Sequence, residues 1–448
     1  MILSLREGGR EGKNLYIFGL RVLRSVHCWG YTWWASTNGR SVPAARLHLP
    51  RGGKFEKAGE HVSETLAAAL APLAEIAEDP DAYVARWKER TGGKVVGAFP
   101  MNFPAEIAHA AGALPVVIQE NREPDTHGRN LLAEFYCGYT RNIADSAAKG
   151  KLDLYDGFFL ADHCIQLLGA VDVVRFESPD KPMYFGHLPT SLGDRWTPED
   201  TRKMMRSFVD EMGEFAGAPV TPEALSRSIA LFNENRRLLR EIFEARRSGN
   251  AQFTAEDMQV LVKSSMVMDK AEHTQLLRRV IAEAAEVPRD DRVRLYLSGH
   301  FSHAPKPELL RAIEDCGALV VDDDLFTGMR YISTDVPEDV DPVDALSDWY
   351  LKRDANLPCS TLVQHEADWE DYLLNSIDRS GAQGVIVLLV KFCEPHMLYY
   401  PELRKALDER GVPHLLIETE HEGVPEENVR TRVEALLERI RRTQLVSS

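Results

Sequence analysis

Three of the six cysteines in this 448-residue chain lie where strand-like apolar runs give way to loops: Cys137, Cys164 and Cys393. Cys164 follows the apolar run 157–160, and Cys393 ends the run 385–393. Open parallel sheets bind ligands and cofactors at the carboxyl ends of their strands, so thiols in such loops can share one site. Three thiolates can hold an iron–sulfur cluster and leave one coordination position open for another ligand.

The spacing of these cysteines predicts a site built from distant segments. The intervals of 26 and 228 residues do not resemble a compact ferredoxin run. Two alternatives stay open: free cysteines are often small core residues, and zinc also binds thiolates, although the paired C-x-x-C motifs typical of structural zinc are absent from the sequence. We interpret Cys316 and Cys359 as structural, but the loop position of Cys359 would let it approach the site.

Glu106 and His109 are candidate catalytic residues. They lie three residues apart on a short helix predicted over 104–112, so they share one face. Glu106 would move protons to or from a substrate, and His109 would orient the substrate or donate a hydrogen bond to it. The alternatives are that Glu106 complements the helix dipole in the first turn and that His109 meets a partner in the core.

Strand and helix patterns alternate on both sides of a long helical segment, as parallel α/β units require. Within that segment, helical periods follow capping sequences at Thr197 and Thr221. The sequence therefore predicts an α/β protein with two flavodoxin- or Rossmann-like parallel-sheet domains and the cysteine site at their junction. The predicted parts are a first α/β domain with N-terminal helices at 62–196, the helical segment at 197–288 and a second α/β domain at 289–448.

The first 61 residues differ in composition from the rest. Residues 1–57 contain ten Lys and Arg against three Glu, whereas the whole chain has a net charge of −16. A basic arm and a transit peptide are two readings of this segment. We prefer a third, in which translation starts near Val62, and we treat 1–61 as a basic extension, disordered or untranslated, outside the fold.

Composition restricts the class of protein. The net charge of −16 argues against a nucleic-acid partner, which would require a basic surface. The longest apolar run, 385–390, is far shorter than the roughly 18 residues that span a bilayer. Scattered cysteines indicate a reducing cytoplasm. Neither a phosphate-binding loop nor a convincing dinucleotide motif occurs in the sequence.

Six motifs occur in an order that resembles the benzoyl-CoA reductase and 2-hydroxyacyl-CoA dehydratase family over about residues 63–440. The motifs are Val96 to Gly112, Phe135-Tyr136-Cys137, Cys164, Asn233 to Arg236, Asp322 to Asp324 and Phe392 to Pro395.

The resemblance implies a 4Fe-4S cluster bound by Cys137, Cys164 and Cys393. It also implies an acyl-CoA substrate, a homologous second catalytic subunit, and ATP-hydrolysing activator subunits with their own cluster that receive electrons from a donor such as ferredoxin. Met101 and Asn102 would contact the substrate. Met101 is similar to the apolar residue of the smaller benzoyl-CoA reductase subunit type, and an apolar pocket suits a flat ring.

The leading prediction is thus a catalytic subunit of an ATP-dependent benzoyl-CoA reductase. The first alternative is a subunit of a 2-hydroxyacyl-CoA dehydratase, a radical lyase. The second alternative is a non-catalytic subunit that relays electrons or stabilises its partner.

Overall fold

The computed structural model describes residues 63–447 except 102, 162–163, 250–251, 285–289, 300–301 and 365–367. The basic extension and Asn102 therefore lie outside the described residues. The described part falls within one compact unit, residues 55–448. No helix in it is long and apolar enough to cross a membrane.

Eight strands form two four-stranded sheets in the described part of the chain. The strands are β1 (Val95–Ala98), β2 (Leu114–Val117), β3 (Gly157–Ala161), β4 (Met183–Gly186), β5 (Val293–Gly299), β6 (Ala318–Asp323), β7 (Gly384–Val390) and β8 (His414–Thr419). Their orders are β2-β1-β3-β4 and β6-β5-β7-β8, with every pairing parallel. The predicted fold class, two Rossmann-like α/β halves, is confirmed.

Helices cover the sheets and fill the segment between them. They are α1 (Glu64–Glu78), α2 (Pro80–Thr91), α3 (Ala105–Ala110), α4 (Gly128–Leu131), α5 (Gly138–Ala148), α6 (Ile165–Glu177), α7 (Thr197–Ala216), α8 (Pro222–Arg247), α9 (Ala255–Ser265), α10 (Lys270–Glu283), α11 (Pro307–Asp315), α12 (Met329–Ile332), α13 (Pro342–Asn356), α14 (Trp369–Ser380), α15 (Glu394–Arg410) and α16 (Glu426–Ser447). A 3-10 helix, Lys151–Leu154, precedes β3.

Burial of the strands explains their near-continuous apolar sequences. Every residue of β1, β2, β5 and β7 is buried, as expected when helices cover both faces of a parallel sheet. Polar caps define the helix starts: the Ser63 hydroxyl accepts a hydrogen bond from the Leu66 N–H, and Thr221 caps α8 in the same way.

The long helix α8 contacts both halves. The Ser228 hydroxyl donates to the Glu106 carbonyl in α3 (2.8 Å), and the Arg247 guanidinium pairs with Asp322 at the end of β6 (2.8 Å). Arg246 forms a buried ion pair with Glu314 of α11. The helical segment therefore holds the two sheets against a common support.

Each sheet has a topological switch point at its first strand, β1 in one sheet and β5 in the other. The chain leaves β1 for one neighbour, β2, and later adds β3 on the other side, and β5 is flanked by β6 and β7 in the same manner. Such a switch point leaves a crevice at the carboxyl ends of the central strands. Two of these segments contact each other, since the Gln166 amide, after β3, donates to the Phe392 carbonyl, after β7.

Candidate functional site

Each of the three predicted ligand cysteines directly precedes a helix. Cys137 is the residue before α5, Cys164 the residue before α6 and Cys393 the residue before α15. The N-terminus of a helix carries partial positive charge from unpaired N–H groups, which stabilises a thiolate. Two of these helices belong to the first half of the chain and the third to the second half.

The three thiols lie close enough to influence one another. Burial raises the pKa of Cys164 to about 12, and the negative charge of Cys137 adds to the rise. Burial also raises the pKa of Cys393, again with a contribution from Cys137 and a smaller one from Cys164. Neighbouring buried thiolates repel one another, and bound cations offset that repulsion.

Cys137 differs because a histidine from the second half contacts it. Burial alone would raise its pKa, but the hydrogen bond and positive charge of His303, together with the Thr140 hydroxyl, outweigh burial and lower it. His303 Nδ1 lies 3.0 Å from Glu120 Oε2. Burial alone would lower the pKa of His303, but the negative charge of Glu120 outweighs burial and raises this pKa to about 10. Glu120 also contacts His421 Nδ1. A buried Cys–His–Glu–His chain thus crosses between the two halves.

Three thiols are a donor set that suits an iron–sulfur cluster. Among the described residues, no three or more His, Cys, Asp and Glu side chains group tightly enough to hold one metal ion. A single Zn²⁺ draws its thiolates together at Zn–S of about 2.3 Å, whereas a cluster distributes its ligands over several iron atoms. The converging thiols at three helix N-termini suit the second arrangement.

A cavity with aromatic walls is lined by one further cysteine, Cys359. Its apolar lining consists of Met101, Phe103, Phe232, Phe326, Tyr331, Trp349, Leu357 and Leu362. Its charged lining consists of Glu106, Arg236, Lys270, Arg330, Arg353 and Asp354. Three arginines against two carboxylates make this cavity positive even where Lys270 has lost its proton, so it favours an oxygen that carries or gains negative charge.

Cys359 links this cavity to the cysteine site. It is buried, it lines the cavity, and its backbone N–H donates to the Asp354 carboxylate at 2.7 Å. Its charge contributes to the raised pKa values of both Cys164 and Cys393. Cys316 is elsewhere, at the end of α11, where its thiol donates to the Ala312 carbonyl.

Two buried cations face the cavity next to Glu106. The Glu106 side chain is only 2 % exposed and pairs with Arg236. Lys270 donates to the Ser265 carbonyl and, at 2.9 Å, to the Ser265 hydroxyl, and its ammonium lies 4.7 Å from the centre of the Phe232 ring. Burial, followed by the charge of Arg236, lowers the Lys270 pKa to about 7.

Met101 reaches the cavity through an unusual backbone conformation. Its φ of 84° lies in the left-handed region, where a side chain is strained. The Arg353 guanidinium donates to the Met101 carbonyl at 2.7 Å, which holds the loop after β1 against α13. Such retained strain is typical of functional segments.

The predicted residues separate into two groups in space. Met101 and Glu106 line the cavity, as Cys359 does, whereas Cys137, Cys164 and Cys393 are not among its lining residues. His109 does not line it: its Nδ1 lies 2.9 Å from the Ser228 hydroxyl, and its ring packs edge-on against Phe232. The catalytic role of His109 stays a prediction.

Sequence reasoning missed the cavity cations and the histidines. Arg236 lies in one of the six motifs, but Lys270 gives no local signal. His303 follows the carboxyl end of β5, the position where a doubly wound sheet places functional groups, and this is the signal that would have found it.

Comparisons with known proteins identify the family. A family model described as 2-hydroxyglutaryl-CoA dehydratase, D-component, matches residues 100–440. The chain belongs to this family. It is similar to the (R)-phenyllactyl-CoA dehydratase beta subunit of Clostridium sporogenes, 26% identical over 372 residues that cover 81% of this chain and 96% of that protein.

Two further relatives span both branches of the family. One of the benzoyl-CoA reductase subunits of Thauera aromatica is 27% identical over 347 residues, which cover 75% of this chain and 89% of that protein. The beta subunit of (R)-2-hydroxyglutaryl-CoA dehydratase from Acidaminococcus fermentans is 25% identical over 357 residues, which cover 79% and 93%. The family prediction is confirmed, and the relatives are subunits of acyl-CoA enzymes.

Proposed function

We propose that this chain is the cluster-bearing catalytic subunit of an ATP-dependent reductase for aromatic acyl-CoA thioesters of the benzoyl-CoA type. Cys137, Cys164 and Cys393 would hold a 4Fe-4S cluster. Bound there, such a cluster supplies electrons of low potential, and its iron without a thiolate offers an open coordination position. One observation supports the proposal: three cysteines at helix N-termini from both halves influence one another's pKa, and Cys359, which acts on two of them, lines a positive, aromatic-walled cavity.

The cavity residues would bind the acyl group and manage its charge. Aromatic walls such as Phe232 and Trp349 match a flat ring and exclude water, which strengthens electrostatic contacts inside. Arg236 and Lys270 would stabilise negative charge on the thioester oxygen. Because its pKa is about 7, Lys270 is able to exchange a proton with that oxygen near neutral pH.

The surface beside the cysteines supports assembly with partner subunits. Exposed apolar side chains lie within five residues of each cysteine in the sequence: Phe135, Ile165, Phe392, Met397 and Leu398. We call these five residues the cysteine face. Exposed apolar groups of this kind mark protein contacts, and the relatives are themselves named as subunits. A homologous second subunit and an ATP-hydrolysing activator, supplied by a donor such as ferredoxin, are the proposed partners.

Iron analysis of cysteine variants tests the cluster. Cys137→Ala, Cys164→Ala and Cys393→Ala are each expected to lower the iron and acid-labile sulfide of anaerobically reconstituted protein to a small fraction of wild type. Cys316→Ala, which removes a thiol at the end of α11, is the matched control and should keep both. Wild-type iron content in all three ligand variants would remove the cluster from the proposal.

The second candidate is a 2-hydroxyacyl-CoA dehydratase subunit. It is favoured by the description of the matching family and by the names of two relatives. Anaerobic turnover of benzoyl-CoA and of (R)-phenyllactyl-CoA, with partner and activator present, separates the candidates. The reductase proposal expects ring reduction with stoichiometric consumption of electrons. Dehydration without net electron consumption would establish the dehydratase.

A further inference from the structure

One buried side-chain amide contacts all three cysteine segments. Gln166, only 5 % exposed, lies two residues after Cys164 in the first turn of α6. Its Oε1 accepts a hydrogen bond from the Cys137 N–H at 2.6 Å. Its Nε2 donates to the Phe392 carbonyl at 2.6 Å and to the Phe135 carbonyl at 3.3 Å. The Gln166 backbone N–H also hydrogen-bonds the Cys164 sulfur.

These partners use three of the four hydrogen-bonding positions of the amide, including both of its donor hydrogens. The oxygen faces an N–H, and both hydrogens of the nitrogen face carbonyls, so the reversed orientation would oppose like groups on all three contacts. Phe135 precedes Cys137 by two residues, and Phe392 directly precedes Cys393. A single side chain therefore joins the cysteine loops of the first half to that of the second.

The contact with Phe392 holds a strained conformation. Phe392 has a φ of 65°, in the left-handed region that a phenylalanine rarely adopts. That conformation directs its carbonyl to Gln166. The hydrogen bond from Gln166 helps to hold Phe392 in this strained conformation.

We propose that Gln166 is a positioning residue that fixes the mutual placement of the three cysteine loops across the two halves of the chain. For its meaning in catalysis this inference rests on the proposed cluster site, but its first test does not require a cluster.

Hydrogen–deuterium exchange of the full metal-free chain is the first test. In Gln166→Leu the buried Cys137 N–H loses its acceptor and both carbonyls lose their donor, so amides of 135–138 and 391–394 are expected to exchange about ten- to hundredfold faster. Gln166→Glu keeps an acceptor for the Cys137 N–H but offers no donor, so it should loosen mainly 391–394.

A glutamine at the opposite end of the second sheet supplies the matched control. Gln383 Oε1 accepts from the Arg294 N–H at 2.9 Å, which also joins two segments through one amide. Gln383→Leu should leave exchange at 135–138 and 391–394 unchanged. Equal exchange in Gln166→Leu and wild type, or equal acceleration in Gln383→Leu, would overturn the proposal.

Iron loading is the second test and separates the two proposals. Gln166→Leu, reconstituted anaerobically with iron and sulfide, is expected to bind less iron or to give an altered electron paramagnetic resonance spectrum. If wild type binds no iron while Gln166→Leu still loosens both loops, the cluster proposal fails and the positioning role stands. Wild-type hydrogen–deuterium exchange in Gln166→Leu would rule out the positioning role, whatever the iron content of the variant.

Discussion

The ion pair of Glu106 and Arg236 combines a structural and a chemical role at the wall of the cavity. Both side chains are nearly inaccessible, and Arg236 also donates to Asn233 at 2.8 Å. Removing one charge from such a pair leaves the other buried and uncompensated, whereas replacing both by apolar groups is often tolerated. Comparing the single and the double substitution therefore separates the structural role of the ion pair from its chemical role.

Glu106→Met is expected to lower the free energy of unfolding by about 3–5 kcal/mol, because Arg236 is left without its counter-ion. The double variant with Arg236→Met should recover most of that loss in urea unfolding. Turnover of the assembled enzyme should stay low in both variants if the Glu106 carboxylate acts on substrate. Recovery of turnover in the double variant would assign Glu106 a purely structural role.

Lys270 gives the folded protein a measurable pH dependence. Its pKa falls from an ordinary 10.5 to about 7 in the fold. Between these values the unfolded chain holds a proton that the folded chain lacks, so the stability of wild type rises with pH, by up to about 1.4 kcal/mol per pH unit.

Lys270→Met should flatten this rise when the free energy of unfolding is measured in urea between about pH 7 and 10. Lys203→Met is the control, because Lys203 lies on the surface of α7 with 66% of its side chain exposed. Parallel pH profiles for wild type and Lys270→Met would show that the lysine keeps its proton in the fold.

At the scale of elements, the site depends on how closely helix α5 approaches the second half. Gly138, the residue after Cys137, has no room for a side chain: a Cβ there would lie 2.9 Å from the His421 Cβ and 3.0 Å from its backbone nitrogen. His421 in turn contacts Glu120, and Glu120 contacts His303, which hydrogen-bonds Cys137.

Gly138→Ala is therefore expected to destabilise the protein by about 1–3 kcal/mol through overpacking. Alanine's better helix propensity, worth up to about 1 kcal/mol, acts in the opposite direction. Urea unfolding of the full chain measures the balance. A variant at least as stable as wild type would mean that α5 moves away from His421 without cost.

The elements themselves were readable from the sequence, because each carries its own local signal. Apolar runs predicted β3 and β7, and Thr221 marked the start of α8. The contacts of Gln166, His303 and Lys270 were not readable. They join residues up to 226 positions apart, and a single buried polar side chain leaves no periodic pattern.

At the scale of the whole molecule, the site exists only where the two α/β halves meet. Cys137 and Cys164 come from the first half, Cys393 and His303 from the second, and α8 contacts both. The order of strands and cysteines in the sequence predicts such a junction. The proposed partner surface lies in the same part of the sequence, since exposed apolar residues flank the cysteines.

Ile165→Lys tests whether the cysteine face binds a partner subunit. Ile165 is 72% exposed, so the substitution should leave the stability of the isolated chain unchanged, whereas a lysine buried in an apolar interface must lose its hydration. Phe176→Lys is the matched control, because Phe176 is 78% exposed but lies about 16 Å further along the same helix. Co-purification with the homologous subunit and activator should fall at least tenfold for Ile165→Lys alone. Undiminished co-purification of Ile165→Lys would place the interface elsewhere, and equal losses in both variants would show that the effect is not specific to the cysteine face.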